Sequence, residues 1–110
     1  MTRQYIPKIK DLSKERVAEL KAFCYQYPEW IDRQNESDLI KIDMVESSAS
    51  EATYGEIIII DYLIKNVTDK DSTVESLIIG LMPIGREQFR EYKRNFFSIL
   101  NDKQNIIYSK

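Results

Sequence analysis

Apolar residues recur at intervals of three and four along most of this 110-residue chain. Near the N-terminus they fall at Val17, Leu20 and Cys24, and similar steps follow in the centre and near the C-terminus. This spacing lines one face of an α-helix, whereas a half-buried strand needs apolar residues at alternate positions. A chain of this length fits one compact domain. The pattern therefore predicts a single all-α helical domain over residues 1–110.

The first predicted helix covers residues 13–27. Ser13 is a suitable N-cap, because its hydroxyl can accept a hydrogen bond from a backbone N–H of the first turn. Pro28 is predicted to end this helix, since a proline disfavours the α conformation of the residue before it. Trp30 and Ile31 are then expected to fold back over the helix end.

A long central helix is predicted over residues 37–66, either straight or bent at Gly55. The four isoleucines at 57–60 would by propensity alone favour a buried strand. However, Ile57, Ile60 and Leu63 also share a helical stripe, and no second strand is evident to satisfy the backbone of a first. We therefore favour a buried helix for this segment.

Small residues dominate the middle of this central helix, in the stretch ESSASEAT (residues 46–53). On a helix they would let another helix approach closely, and a flexible break near residues 47–50 is the alternative interpretation. Together with the apolar excess nearby, the small patch makes a homodimer one possible assembly.

The chemistry-bearing residues do not form a catalytic pattern. The chain has no His and one Cys, so a triad and a zinc site are both excluded. Cys24 is expected to pack as a small hydrophobe. We expect no enzymatic activity, no metal and no cofactor. The central carboxylates are interpreted as a solvated helix face, namely Asp38, Asp43, Glu46, Glu51 and Glu56.

The N-terminal sequence lacks the apolar core of a signal peptide. No apolar run approaches the roughly 20 residues that a membrane span requires. We therefore expect a cytoplasmic protein, in the host cell, that makes no contact with a membrane.

Residues 72–101 are predicted to form a helix-turn-helix unit. Ser72 and Glu75 match a capping box at the start of a short helix, because each side chain can bond the backbone N–H of the other. A turn with Pro83 and Gly85 follows, and a longer basic helix covers residues 85–101. This order of elements is typical of a helix-turn-helix.

The second helix of this unit carries its apolar and basic side chains on separate stripes, given a step of about 100° per residue. The apolar stripe contains Phe89, Tyr92, Phe96, Ile99 and Leu100. The basic stripe contains Arg86, Arg90, Lys93 and Arg94. Phe97 falls inside the basic stripe, so it either packs against another helix or forms an exposed apolar contact.

Double-stranded DNA is the partner that such a basic stripe fits. Residues near the start of a recognition helix reach base edges, which makes Arg86, Gln88 and Arg90 the candidates for base contacts. Lys93, Arg94 and Lys103 are better placed for phosphates. The alternative is that the cations are only the solvated face of a packed helix, in a protein that binds another protein.

The charge distribution limits where DNA could bind. Residues 1–28 and 85–110 each carry a net charge of +3, whereas residues 29–84 carry −8. An acidic surface repels phosphate, so any DNA contact is expected at the two ends of the chain.

The segment MPIGREQFREYKRNFFSIL (residues 82–100), preceded by STVESLIIGL, resembles the end of small bacteriophage regulators of the RinA/ArpU type. These resemble the helix-turn-helix of sigma-factor region 4. The stretches LKAFCYQYPEW and VESSASEATYGEI also resemble the leading helices of such short phage proteins. The resemblance implies a phage or prophage transcriptional regulator of late genes. Host RNA polymerase is a further partner that we consider. It gives the recognition-helix role to Arg86, Gln88, Arg90, Lys93 and Arg94.

An alternative function stays open from the sequence. The acidic middle and the unusually apolar run at residues 57–60 also suit a phage-encoded adaptor or inhibitor. Such a protein would bind a host protein, either RNA polymerase or a nuclease, rather than DNA.

Overall fold

The architecture is helical in every part of the chain that can be described. A computed structural model describes residues 12–73, 76–77 and 82–108, with side chains described as far as Ile106. No strand occurs within these ranges, which confirms the predicted all-α class. The helices with full bounds are α1 (Lys14–Cys24), α2 (Tyr27–Arg33), α3 (Glu36–Ala52), α4 (Ile57–Thr68) and α5 (Arg86–Tyr108).

The first helix begins as predicted but ends early. The Ser13 hydroxyl accepts a hydrogen bond from the backbone N–H of Arg16 at 3.0 Å, which confirms the N-cap. The prediction that Pro28 ends this helix is wrong, because α1 ends at Cys24 and Pro28 lies in the first turn of α2. A proline is tolerated there, since the first helical N–H groups have no partner within the helix. Trp30 does fold back, with its ring centroid 4.8 Å from that of Phe23.

The junction between α2 and α3 is held by side chains. Gln34 adopts a left-handed conformation (φ 54°) that ends α2. Asn35 and Asp38 then form a capping box, in which Asn35 Oδ1 accepts the Asp38 N–H at 2.8 Å. Both carboxylate oxygens of Asp38 also accept hydrogen bonds from the Arg33 guanidinium, at 3.0 and 2.9 Å.

The interpretation of the central carboxylates as a solvated face is wrong for Asp38, which is 1% exposed. The Arg33 guanidinium holds the pKa of the Asp38 carboxyl below its ordinary value. Glu46 and Glu51 remain exposed but have partners, since Glu46 accepts a hydrogen bond from the Tyr27 hydroxyl at 2.6 Å and Glu51 pairs with Lys103.

The single central helix predicted over residues 37–66 is instead two helices, α3 and α4. Tyr54 (φ 56°) and Gly55 (φ 79°) both adopt left-handed conformations, which a right-handed helix cannot contain. The Gly55 N–H bonds the Ser50 carbonyl at 2.9 Å, so it closes the end of α3. The chain therefore turns between Ala52 and Ile57.

Residues 57–68 form a helix, as predicted, but α4 is not buried on all sides. Its buried apolar stripe runs through Ile59, Leu63 and Val67. Ile57 is 75% exposed and Ile58 is 62% exposed, so the buried face is rotated relative to the predicted one.

The small residues of α3 pack in the core of the protein itself. Ser48, Ala49 and Ala52 are at most 2% exposed, and they lie on the side of α3 that packs within the domain. Those side chains are therefore not available to a second copy of the chain, which removes the main sequence argument for a homodimer.

The helix predicted to start at Ser72 lies mostly outside the described residues. Ser76 and Leu77 are helical, and the Thr73 hydroxyl accepts the Ser76 N–H at 3.0 Å. The predicted N-cap Ser72 instead accepts a hydrogen bond from the Asn66 side chain at 3.4 Å. The cap is thus shifted to Thr73. Glu75, the other residue of the predicted capping box, lies outside the described residues, so the helix-turn-helix layout stays a prediction.

The C-terminal helix α5 organises the core. It starts at Arg86, as predicted, but continues to Tyr108 rather than ending near residue 101. It packs against α3, α1 and α4. Phe89, Phe96 and Leu100 are fully buried, which confirms them as core residues, and Tyr92 and Ile99 are half-buried.

Candidate nucleic-acid interface

The basic stripe of α5 lies beside α1, and a network around Arg16 fixes how the two helices pair. Arg16 donates hydrogen bonds to Asn101 Oδ1 at 2.6 Å and to Gln104 Oε1 at 2.9 Å. The start of α1 therefore lies against the end of α5, and the helices run antiparallel. This direction brings Lys21, late in α1, towards Arg90 and Lys93, early in α5.

The basic stripe has an exposed part and a sheltered part. Arg86, Arg90 and Arg94 are exposed, whereas Lys93 is half-buried. The structure thus places all four predicted cations on one side of the first half of α5. The exposed guanidinium groups are in a position to contact a phosphate backbone.

Gln88, the other candidate for base contacts, is exposed within the first turn of α5. Its side-chain amide donates a hydrogen bond to the Tyr92 hydroxyl at 3.2 Å. At about 200° from Arg86 on the helical wheel, Gln88 points away from the basic stripe. The structure therefore separates it from the cations.

Lys103 lies apart from the other predicted phosphate contacts. Its ammonium is 2.7 Å from both Glu51 Oε2 and Ser47 Oγ, so it joins α5 to α3. At about 260° from Arg86, it belongs to the apolar side of α5. The helical wheel alone would have excluded Lys103 from the stripe, and we do not retain it as a candidate for DNA contact.

A cavity of about 430 Å³ opens between α1 and the first half of α5. Four cations line it, namely Lys21, Arg90, Lys93 and Arg94, and its apolar lining comes from Leu12, Val17 and Phe97. We refer to this cavity with these seven residues as the basic pocket. Phe97 is 5% exposed and packs against Phe96, with 5.2 Å between ring centroids. The alternative that Phe97 packs inside the domain is therefore the correct one.

Two other cations lie close to the Lys93 ammonium. Burial lowers the pKa of its ammonium, and the neighbouring cations Lys21 and Arg90 lower it further. Among the described residues, no carboxylate forms an ion pair with any of the four pocket cations. The basic pocket thus concentrates positive charge that no described carboxylate neutralises through an ion pair.

Lys21 is the member of this region that sequence reasoning missed. It follows Val17 by four residues, so the two share a face of α1. That spacing placed Lys21 beside the apolar stripe, but only the antiparallel packing of α1 on α5 brings it to the basic stripe.

Cys24 has no place in this interface. It is fully buried, and burial raises the pKa of its thiol to about 12. The predicted packing role of Cys24 is confirmed by its position in the core. Within the described ranges, no three His, Cys, Asp or Glu side chains converge as metal ligands, and none of the helices has the length and hydropathy of a membrane span.

Comparison with known protein families, with curated proteins and with solved structures found no match to this chain.

Proposed function

We propose that this protein binds double-stranded DNA through the exposed basic residues in the first half of α5. The observation that carries the proposal is that Arg90, Lys93 and Arg94 lie together on α5 and form no ion pair with a carboxylate of the described part of the chain. Arg90 and Arg94 are exposed, and Lys93 and Lys21 add positive charge beside them. A bound phosphate backbone would supply the missing counter-charge.

The resemblance of residues 82–100 to phage regulators supports a more specific version of this proposal. The protein would be a transcriptional regulator encoded by a phage or prophage. Arg86 and Arg90, near the N-terminus of α5, would read base edges in the major groove, since bidentate pairing of Arg with guanine is the commonest specific contact. Arg94 and Lys93 would hold the backbone.

Equilibrium binding to a fluorescent duplex tests the proposal. We expect affinity to fall steeply between about 50 and 200 mM salt, as for proteins that neutralise several phosphates. Substitution of Arg94 by Ala should weaken binding uniformly across sequences and reduce the magnitude of the salt slope by about 1. Substitution of Arg90 by Ala should cost about 1–3 kcal/mol on a preferred sequence if it contacts a base.

Two substitutions serve as controls for this measurement. Lys70 is exposed beyond the end of α4, and Lys103 is paired with Glu51. Lys70→Ala and Lys103→Ala should leave duplex affinity within about twofold of the original. Absence of duplex binding at 20 mM salt, or equal losses in Lys70→Ala and Arg94→Ala, would refute the proposal.

An exposed apolar groove favours a second candidate function, the binding of a host protein. Leu39 (49% exposed), Ile40 (54%) and Ile106 (78%) meet where α3 faces the second half of α5. Contiguous apolar exposure is typical of protein-binding surfaces. If duplex binding fails while purified RNA polymerase retains the protein after nuclease treatment, and Ile40→Glu abolishes that retention, the adaptor hypothesis replaces DNA binding.

A further inference from the structure

The basic pocket combines two features that a solvated helix face does not need. It is a concave space of about 430 Å³, which lies within the range of small-molecule sites, roughly 300–1,000 Å³. It also has an apolar lining, formed by Leu12 and Val17 from the start of the chain's described part and by Phe97 from α5. Flat phosphate-binding surfaces require neither a cavity nor apolar walls.

The cations of the pocket come from two different helices. Lys21 extends from α1, whereas Arg90, Lys93 and Arg94 extend from successive turns of α5. Because α1 and α5 are held antiparallel by the Arg16 network, these four side chains surround the same space. Two guanidinium groups offer paired N–H donors to phosphate or carboxylate oxygens, and two ammonium groups add point charges.

The arrangement of charges around Lys93 is electrostatically unfavourable. Its ammonium is half-buried beside Lys21 and Arg90, and these neighbours repel it. An anion within the pocket would convert this repulsion into attraction at a site where water screens the charges less than on an open surface.

We propose that the basic pocket binds a small organic anion, of the class that joins a phosphate or carboxylate group to an aromatic or apolar body. The anionic group would lie among Arg90, Lys93 and Arg94, with Lys21 opposite. The apolar body would rest against Val17 and Phe97. The proposal does not rest on DNA binding, although all four pocket cations also belong to the proposed DNA-binding surface.

Calorimetric titration of the full chain with three probes tests this proposal. The probes are 1-naphthyl phosphate, which has both halves, inorganic phosphate, which has only the charge, and 1-naphthol, which has only the apolar body. We expect 1-naphthyl phosphate to bind at least tenfold more tightly than either of the other two. Backbone amide resonances of Val17, Lys21, Lys93 and Phe97 should shift during the titration.

Substitutions test where 1-naphthyl phosphate binds. They also distinguish the loss of a charge from a loss of folding. Lys93→Met keeps the apolar stem and removes the charge, so it should weaken 1-naphthyl phosphate binding at least fivefold. Phe97→Leu keeps a buried apolar side chain but removes the ring, and it should weaken 1-naphthyl phosphate more than inorganic phosphate. Lys70→Met, the matched control on an exposed lysine away from the pocket, should change neither affinity.

The proposal is overturned if 1-naphthyl phosphate fails to bind at millimolar concentration. It is also overturned if inorganic phosphate binds as tightly, since the pocket would then be a charge patch only. Equal effects of Lys93→Met and Lys70→Met would likewise contradict it. None of these measurements contains DNA, so their outcome is independent of the duplex-binding test.

Discussion

The positive charge of Lys93 disfavours folding but would favour the binding of an anion. Its neighbours in the basic pocket are cations, and burial removes part of the water that would screen them. The pKa of the ammonium is therefore lower in the folded protein than in the unfolded chain. Charge that is unfavourable for folding but useful for binding is a recurrent property of functional sites.

We predict that Lys93→Met raises the free energy of unfolding at neutral pH by about 0.5–1 kcal/mol, a typical gain from relieving surface-charge repulsion. The methionine retains the apolar stem that packs beside Phe97. Urea unfolding followed by circular dichroism measures the change, with Lys70→Met as a control that should change stability by less than about 0.5 kcal/mol.

The stability difference between Lys93→Met and the original protein should also depend on pH. A lowered pKa in the folded state means that the unfolded chain binds more protons as pH approaches the ordinary lysine value of 10.5. The original protein therefore regains stability relative to Lys93→Met as pH rises, and the difference should shrink between neutral pH and about 10. A variant that is less stable than the original at pH 7 would contradict this electrostatic account.

The sequence predicted the structural roles of some residues but not of others. Ser13, Phe89 and Leu100 depend on local spacing and capping, and their predicted roles are confirmed. Lys21 depends on which helix packs against which, so spacing within one helix could not assign it, whereas the spacing within α5 already separates Lys103 from the basic stripe. The basic stripe was visible in the sequence, whereas the pocket it forms with α1 was not.

Among the elements, the largest difference from expectation lies at the break between α3 and α4. Apolar spacing continues across residues 52–57, so it favoured one long helix. The conformation of two residues, Tyr54 and Gly55, decides otherwise. Gly is the residue most often found in the left-handed position after a helix end. The alternative of a bend at Gly55 was therefore closer to the structure than a straight helix.

We predict that Gly55→Ala lowers the free energy of unfolding by about 1 kcal/mol, the typical cost of a left-handed conformation for a residue with a Cβ. The added methyl group would meet no atom within 4 Å, so steric contact does not contribute. Gly55→Asn should recover part of this loss, because Asn tolerates the left-handed region better than Ala.

Gly85 offers the matched control for this prediction. A Cβ there would also meet no atom within 4 Å, and its φ does not lie in the left-handed region. Gly85→Ala should therefore lower the free energy of unfolding by less than Gly55→Ala does. If the two alanine variants had equal stability, the turn between α3 and α4 would not depend on backbone conformation at residue 55.

At the scale of the whole molecule, α1 and α5, which belong to the two basic segments of the sequence, pack against each other. The antiparallel contact of α1 and α5 joins segments some 85 residues apart, through Arg16 and Asn101. The acidic middle of the sequence, which includes α2, α3 and α4, forms the rest of the described domain. The charge segregation read from the sequence thus becomes a basic surface shared by the first and last helices.

One continuous core connects these elements. Its buried cluster contains Trp30 near the first helical corner, Leu63 in α4 and Leu100 in α5. Because these residues contact a common interior, none of the helices α1 to α5 has a separate core that would let it unfold alone. A domain of this size with one core is expected to unfold in a single cooperative transition.

We predict that Trp30 fluorescence and far-UV circular dichroism report the same urea midpoint and slope. Trp30 is the one tryptophan and is fully buried, so its emission reports the corner between α1 and α2. Circular dichroism reports all helices.

Leu100→Ala, which removes a fully buried side chain 70 residues away in sequence, should lower the free energy of unfolding by about 2–5 kcal/mol. Both probes should shift together in this variant. A Trp30 midpoint that stays fixed while the circular dichroism midpoint falls would show that the α1–α2 corner and α5 belong to separate cooperative units.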